Sequence, residues 1–221
     1  MNKTTPEERR PAYAITWQSV ESVEHYANSR YRHLDQRLVS WRERRIVEKL
    51  LRKLAVENTF LLDIPTGYGR FTPLFNKYGF KVLNGDLNLY ALLYQQRSHP
   101  NDNMAIVANG NRLPLGDNLV DVIFNFRLLQ HFKTSAERRA LLQELSRVSG
   151  HHLIVSVYIE SAFHHFIQVI SGRKRRMTFI SRDQWNAELR SCGLEVVQVH
   201  RPLRFFHAQN IFWLEKQPAT S

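Results

Sequence analysis

The sequence contains a single cysteine, Cys192, among 221 residues. One cysteine cannot form an internal disulfide, and it excludes a zinc site built from several thiolates. The chain also lacks any apolar run of the roughly 18 to 20 residues that cross a bilayer, and its first residues are charged. We therefore expect a soluble, cytoplasmic protein with no transmembrane segment. The length and the 43% apolar content allow one substantial core, which predicts one domain.

Acidic residues are scarce relative to basic ones, and the imbalance is local. Residues 1–54 hold 12 Lys or Arg against 7 Asp or Glu, and residues 163–206 hold 8 against 3. Residues 55–162 are nearly neutral, with 10 against 9. Basic flanks attract anions and polyanions. Two interpretations stay open: a solvated surface, or an anionic acceptor or partner such as a phosphate-bearing small molecule, a nucleic acid or an anionic membrane surface.

Strand and helix patterns alternate from about residue 42 onward, which favours a parallel sheet with helices on both faces. Capping boxes begin two of the helices, at Thr134 and at Ser181. The predicted helices lie at residues 41–54, 71–78, 87–96, 134–148 and 185–191. Seven strands are predicted, at residues 59–64, 81–86, 104–108, 120–126, 153–157, 194–199 and 210–214. The fold class is thus α/β, Rossmann-like and doubly wound.

Two carboxylates and a glycine-rich turn carry the chemistry of the first strands. Asp63 ends the first strand, Gly67 and Gly69 lie in the turn after it, and Asp86 ends the second strand. Glycine lets a backbone approach a ligand closely, and a carboxylate at the second strand tip can accept both hydroxyls of a ribose. The arrangement is typical of proteins that bind a cofactor containing a nucleoside.

The sequence resembles the class I S-adenosylmethionine-dependent methyltransferases over about residues 55 to 160. The resemblance depends on several short segments that occur in the family's order and spacing, at residues 62–69, 85–87, 109–115, 117–123 and 128–132. It implies a mostly parallel seven-stranded sheet with an antiparallel last strand, and S-adenosylmethionine as the cofactor. Residues 1–54 would form a basic helical extension of the same domain, and residues 55–221 would form the methyltransferase-like part.

The resemblance also implies roles for the residues of the glycine turn and the second strand. Asp63 would orient the turn and, directly or through water, the amino group of the cofactor. Gly67 and Gly69 would give the cofactor a wall without side chains. Asp86 would bind the ribose diol.

Further roles fall on the segments that follow the second, third and fourth strands. Leu87 would pack on the adenine, and Asn109 with Gly110 would contact its edge. Phe126 with Arg127 would line the pocket at the end of the fourth strand.

Two positions depart from the family pattern. Pro65 stands where glycine is usual, which fixes φ and removes one N–H, and Asn109 stands where aspartate is usual. The carbonyl oxygen of Asn109 can still accept a hydrogen bond, but it supplies no charge. These departures leave open a catalytically silent methyltransferase-like module that binds nucleic acid or an anionic membrane surface.

The candidate catalytic residues follow the fourth and fifth strands, because ligands bind beyond the carboxyl ends of a parallel sheet. They are His131 and Tyr158, with Glu160 as a further possibility, and each has a purely structural alternative. An acceptor-site insertion is predicted around residues 160–182. Within it, Arg173 and Arg175 are the candidates for gripping an anionic acceptor.

Two other chemistries are disfavoured by the sequence. The histidine pairs at residues 151–152 and 164–165 have no carboxylate or cysteine at a recognisable ligand spacing, so no metal site is predicted. A nicotinamide-dependent oxidoreductase would need a small residue three positions after Gly69, and Thr72 is there instead.

Overall fold

The structure is a computed structural model that describes residues 17–100, 104–160, 177–203 and 208–217. Its described part contains seven strands in one sheet with the order β3-β2-β1-β4-β5-β7-β6. Their bounds are β1 Phe60–Asp63, β2 Lys81–Asp86, β3 Met104–Val107, β4 Val120–Asn125, β5 Ser149–Tyr158, β6 Leu194–His200 and β7 Gln209–Lys216. Strand β7 is antiparallel to both of its neighbours, and β1 to β5 are parallel. The predicted fold class is confirmed.

Six α-helices occur in the described ranges: α1 Val20–Ser29, α2 Leu34–Leu54, α3 Thr72–Lys77, α4 Leu89–Ser98, α5 Ser135–Val148 and α6 Arg182–Ser191. Both predicted residues cap their helices, Thr134 with the full capping box and Ser181 through its hydroxyl. The hydroxyl of Thr134 accepts a hydrogen bond from the Glu137 N–H, and that of Ser181 accepts one from the Gln184 N–H. Such caps satisfy N–H groups that have no partner within the helix.

Two apolar clusters cover the two faces of the sheet. One joins α5 and α6 to the strands through side chains such as Leu141, Leu145 and Trp185. The other joins α2 and α3 to the opposite face through side chains such as Val47, Leu50 and Phe75. The amino-terminal helix α2 therefore shares a core with the strands that follow it.

The structure adds one helix to the predicted elements and extends two others. Helix α1 was not predicted, and α2 begins at Leu34 rather than near Trp41. Strand β5 begins directly after α5, so Gly150 lies inside the strand rather than at a separate helix stop. Across the described residues, every helix is too short or too polar to cross a membrane.

Candidate functional site

A cavity of about 450 Å³ lies beyond the carboxyl ends of the first four strands. One end is formed by segments after β2 and β3, and the other by segments after β1 and β4. The cavity lining includes seven residues for which the sequence predicted a site role: Gly67, Asp86, Leu87, Asn109, Gly110, Arg127 and His131. The structure therefore brings together most of the predicted residues, although they come from four separate loops.

The two glycines of the turn, Gly67 and Gly69, have different structural roles. Both have positive φ, +56° at Gly67 and +75° at Gly69, a conformation that glycine adopts without strain. A Cβ at Gly67 would meet no atom within 4 Å, whereas one at Gly69 would lie 2.7 Å from Cγ of Gln95 on α4. Gly67 thus leaves free space beside the cavity. Gly69 permits close packing between the turn and α4, and it does not line the cavity.

Asp86 holds the glycine turn from the tip of β2. Its carboxylate accepts the Gly67 N–H at 2.9 Å and the Asn88 N–H at 2.8 Å. Burial raises the pKa of Asp86, and these backbone hydrogen bonds offset part of that effect. A carboxylate oxygen can accept more than one hydrogen bond, so Asp86 can support the turn and bind a ligand hydroxyl together.

Asp63 lies beneath the turn rather than in the cavity lining. It is almost completely buried. Burial raises its pKa well above the usual range, the hydroxyl of Thr66 lowers it in part, and the nearby carboxylate of Asp86 raises it further. In this position Asp63 can support the turn, and direct contact with a ligand in the cavity would need movement of the residues above it.

The two positions that depart from the family pattern both lie in the cavity lining. Pro65 follows Ile64 in a cis peptide bond, and the next N–H, from Thr66, donates to the Gly85 carbonyl at 2.8 Å. The side-chain oxygen of Asn109 accepts the Asn111 N–H at 3.1 Å. Asn109 therefore organises its own loop, a task that an amide performs as well as a carboxylate.

His131 and Tyr158 lie at different depths. His131 lines the cavity from a short 3₁₀ helix, Leu129–His131, and burial lowers its pKa, so the neutral imidazole prevails near neutral pH. Tyr158 lies outside the cavity lining and packs edge-on against Phe179. Burial raises the pKa of its hydroxyl, and the Arg127 guanidinium offsets part of the rise. Tyr158 is thus suited to donating a hydrogen bond rather than to accepting a proton.

Phe126 is a core residue rather than part of the lining. Its ring stacks on Phe124 with centroids 5.5 Å apart and meets Phe71 edge-on at 4.8 Å. The next residue, Arg127, lies beyond the end of β4, has a positive φ and lines the cavity.

Arg127 is held in place by a buried ion-pair cluster. It has φ of +60°, outside the usual range for a side-chain-bearing residue, and its N–H donates to the Ser156 hydroxyl at 2.7 Å. Its guanidinium lies 2.7 Å from Glu43, which pairs on its other side with Arg70 at 2.5 Å. Burial disfavours the charge of Glu43, but the two arginines prevail and lower its pKa. One carboxylate thus faces two cations, which leaves one excess positive charge in the cluster.

The sequence did not indicate two residues of this region. Glu43 is completely buried on α2, four residues before Val47. A charged residue at a position of the apolar stripe is the feature of the sequence that could have indicated a buried ion pair. Trp17 lines the cavity, and its carbonyl accepts a hydrogen bond from the Asn88 side chain at 3.1 Å. Nothing in the local pattern around Trp17 indicates this contact. The predicted acceptor residues Arg173 and Arg175 lie outside the described residues.

Residues 62–153 match the family described as "Methyltransferase domain". This part of the chain is a methyltransferase domain, and the resemblance to class I S-adenosylmethionine-dependent methyltransferases is confirmed. The assignment as an enzyme of this class, with S-adenosylmethionine as its cofactor, follows from that domain. No curated protein matches the sequence significantly.

Several solved structures share the fold at low sequence identity. Magnesium protoporphyrin IX methyltransferase (ChlM) from Synechocystis PCC 6803 with bound SAH superposes with a TM-score of 0.71 and 15% identity, over 84% of this chain and 88% of that one. The PH0226 protein from Pyrococcus horikoshii OT3 gives 0.68 and 15%, over 88% and 99%. The [4+2]-cyclase SpnF gives 0.62 and 14%, over 77% and 80%. At such identities the likeness shows a common fold.

Proposed function

We propose that the protein transfers the methyl group of S-adenosylmethionine to a small acceptor that carries a carboxylate or a phosphate. The observation that carries the proposal is the cavity itself. It joins Gly67 and Asp86, which suit a nucleoside-containing donor, to His131 and Arg127, which suit proton removal and anion binding.

The described residues fit the donor. The free space beside Gly67 accommodates a ligand that a Cβ would obstruct, and Asp86 is positioned to accept ribose hydroxyls. Asn88, Leu89 and Val107 would flank the adenine end of the cavity. The donor supplies an activated methyl group on a positively charged sulfur, and the acceptor's lone pair displaces that sulfur in line.

His131 is the best-placed base in the cavity. Because burial lowers its pKa, its neutral imidazole can take the proton that a hydroxyl or amine acceptor loses as the new bond to the methyl carbon forms. In this proposal Tyr158 supports the acceptor end through its hydrogen-bonding hydroxyl. Activity should therefore fall as the pH drops through the lowered pKa of His131.

Arg127 supports an anionic acceptor. Glu43 holds its guanidinium on one side, while the Arg127 side chain stays 20% exposed and lines the cavity. Because Arg70 and Arg127 share one carboxylate, the cluster keeps an excess positive charge. A carboxylate or phosphate at this end of the cavity would pair with that charge.

The proposal is tested first by titration calorimetry with S-adenosylmethionine and, separately, with NADH. We expect micromolar binding of the first alone. Gly67→Val should reduce donor affinity at least about a hundredfold, because its side chain would enter the cavity at a positive φ. Asp86→Ala should reduce it about tenfold or more through loss of charged hydrogen bonds. Unchanged affinity in both variants would refute the assignment of the donor site.

Arg127 needs its own test, because the donor also contains a carboxylate. Arg127→Met should leave binding of S-adenosylhomocysteine and of methylthioadenosine, which lacks the amino-acid part, within about threefold if the arginine serves the acceptor. Selective weakening of S-adenosylhomocysteine would assign Arg127 to the donor instead. Methyl transfer to a set of carboxylate- and phosphate-bearing metabolites, compared with neutral analogues, then identifies the acceptor class.

A silent module remains the alternative function, and the observation in its favour is that Pro65 and Asn109 both lie in the cavity lining. The likeness to a [4+2]-cyclase also indicates that the fold alone does not require methyl transfer. Binding of neither cofactor, together with salt-sensitive association with RNA or anionic vesicles, would favour this alternative.

A further inference from the structure

The outward face of α2 begins with three exposed apolar side chains. Leu34, Leu38 and Trp41 are 79%, 46% and 52% exposed. Their spacing of four and three residues places them on one side of the helix. The buried residues of α2 begin only at Glu43, so the first two turns present apolar side chains to solvent without contributing to the core.

Cations surround these apolar side chains. Four exposed arginines occur on the first three turns: Arg37, Arg42, Arg44 and Arg45. The Arg45 guanidinium lies 5.0 Å from the centre of the Trp41 ring. Of the acidic residues on α2, Glu43 is buried and Glu48 pairs with Lys77 at 2.6 Å, which leaves Asp35 as an exposed acid beside the arginines. The face is thus apolar at its centre and basic at its margins.

We propose that this face of α2 docks the protein on an anionic lipid surface. Leucine and tryptophan side chains enter the boundary between headgroups and acyl chains, and arginines bind the anionic headgroups. RNA would use the arginines but would gain little from exposed leucines. A second copy would bring two like-charged faces together, and each chain carries a formal charge of +11.

Docking is compatible with the cavity described above. Glu43, which holds Arg70 and Arg127, lies on the face of α2 opposite to Leu34 and Trp41. Insertion of the apolar residues therefore need not disturb the ion pairs. This inference does not depend on which acceptor the enzyme methylates.

The test is co-sedimentation of the full chain with vesicles of phosphatidylcholine alone, or mixed with phosphatidylglycerol. We expect binding to the mixed vesicles and much weaker binding to the neutral ones. The double variant Leu34→Ser/Leu38→Ser should bind the mixed vesicles at least about tenfold more weakly than the wild type, because two inserted side chains are lost. Trp41 emission should shift to shorter wavelength on binding, and the shift should disappear in Trp41→Phe.

Leu119→Ser is the matched control, because Leu119 is also 48% exposed but lies in the loop before β4. It should bind vesicles as the wild type does, and thermal unfolding should show that all variants are folded. The proposal is overturned if the double variant binds vesicles as tightly as the wild type. It is also overturned if the chain ignores mixed vesicles but binds an RNA oligonucleotide, or if the double variant's main effect is to dissociate a dimer.

Discussion

Two regions of the described chain that bury charge are built differently. Between α5 and α6, Arg138 and Glu188 are 1% and 2% exposed and form a bidentate ion pair, with N–O distances of 2.9 and 2.5 Å. The remaining guanidinium nitrogen of Arg138 donates to the Phe132 carbonyl at 3.2 Å. Every polar atom of this pair has a partner.

At the carboxyl ends of the strands, some buried nitrogen atoms lack a hydrogen-bond partner among the described residues. Nη1 of Arg70 and Nε of Arg127 are buried and have no hydrogen-bond partner within the described ranges. Glu43 is the shared counter-ion of both arginines. The comparison indicates that the α5–α6 pair fixes two helices, whereas the Glu43–Arg70–Arg127 cluster leaves Arg127 partly exposed in the cavity lining, where it can bind an anion.

The largest effect is expected at the α5–α6 pair. Glu188→Gln leaves the Arg138 charge buried without a counter-ion, which typically costs about 3–5 kcal/mol. Urea denaturation measures the loss in the free energy of unfolding. Glu195→Gln, at an exposed position on β6, is the control and should change that value by less than about 0.5 kcal/mol. A loss below about 1 kcal/mol at Glu188 would contradict the structural role of the pair.

A smaller effect is expected at Glu43. The side chains of Arg70 and Arg127 are 14% and 20% exposed, so water can solvate them when Glu43→Gln removes their shared counter-ion. We expect a loss of about 1–3 kcal/mol. Inorganic phosphate should recover part of the thermal stability of Glu43→Gln, because an anion can take the place of the carboxylate.

Phosphate should not rescue Glu188→Gln, whose arginine has no opening to solvent. Equal rescue of both variants would mean that phosphate acts on the protein in general. The proposed difference between the Arg138–Glu188 pair, which is structural, and the Glu43–Arg70–Arg127 cluster, which can bind an anion, would then be wrong.

The sequence predicted the strand-end site well where its chemistry is local. The run from Asp63 to Gly69 must form a tight turn after a buried strand, and Asp86 must end the next strand, so both could be placed from pattern alone. The parallel sheet then brings these loops together, because the carboxyl ends of its strands lie at one edge.

The sequence could not show contacts between distant elements. Gly69 looks the same as Gly67 in the sequence, and only the position of Gln95 on α4 separates their roles. Helix α1 buries Val23 and is held by the Ser19–Ser22 capping box and by packing on α4, a contact with a distant helix that the sequence does not show. Glu43 reads as one more charge on a basic helix until its partners 27 and 84 residues away are known.

The smallest change in the free energy of unfolding is expected at Asp63. Substitution of Asp63 should stabilise the protein, whereas substitution of Glu188 should destabilise it. Burial, and then the neighbouring Asp86, raise the pKa of Asp63 above its unfolded value, so its contribution to stability is full below the unfolded pKa. That contribution is lost as the pH rises through the folded pKa, where the buried group must ionise. Asp63→Asn does not titrate, so relative to the wild type it should gain stability between mildly acidic and alkaline pH.

Urea denaturation across this range measures the difference. The exposed Asp183→Asn is the control, and its unfolding free energy should depend on pH as that of the wild type does. A variant that loses stability relative to the wild type as the pH rises would show that the Asp63 carboxylate is stabilised as an ion, and would contradict the raised pKa.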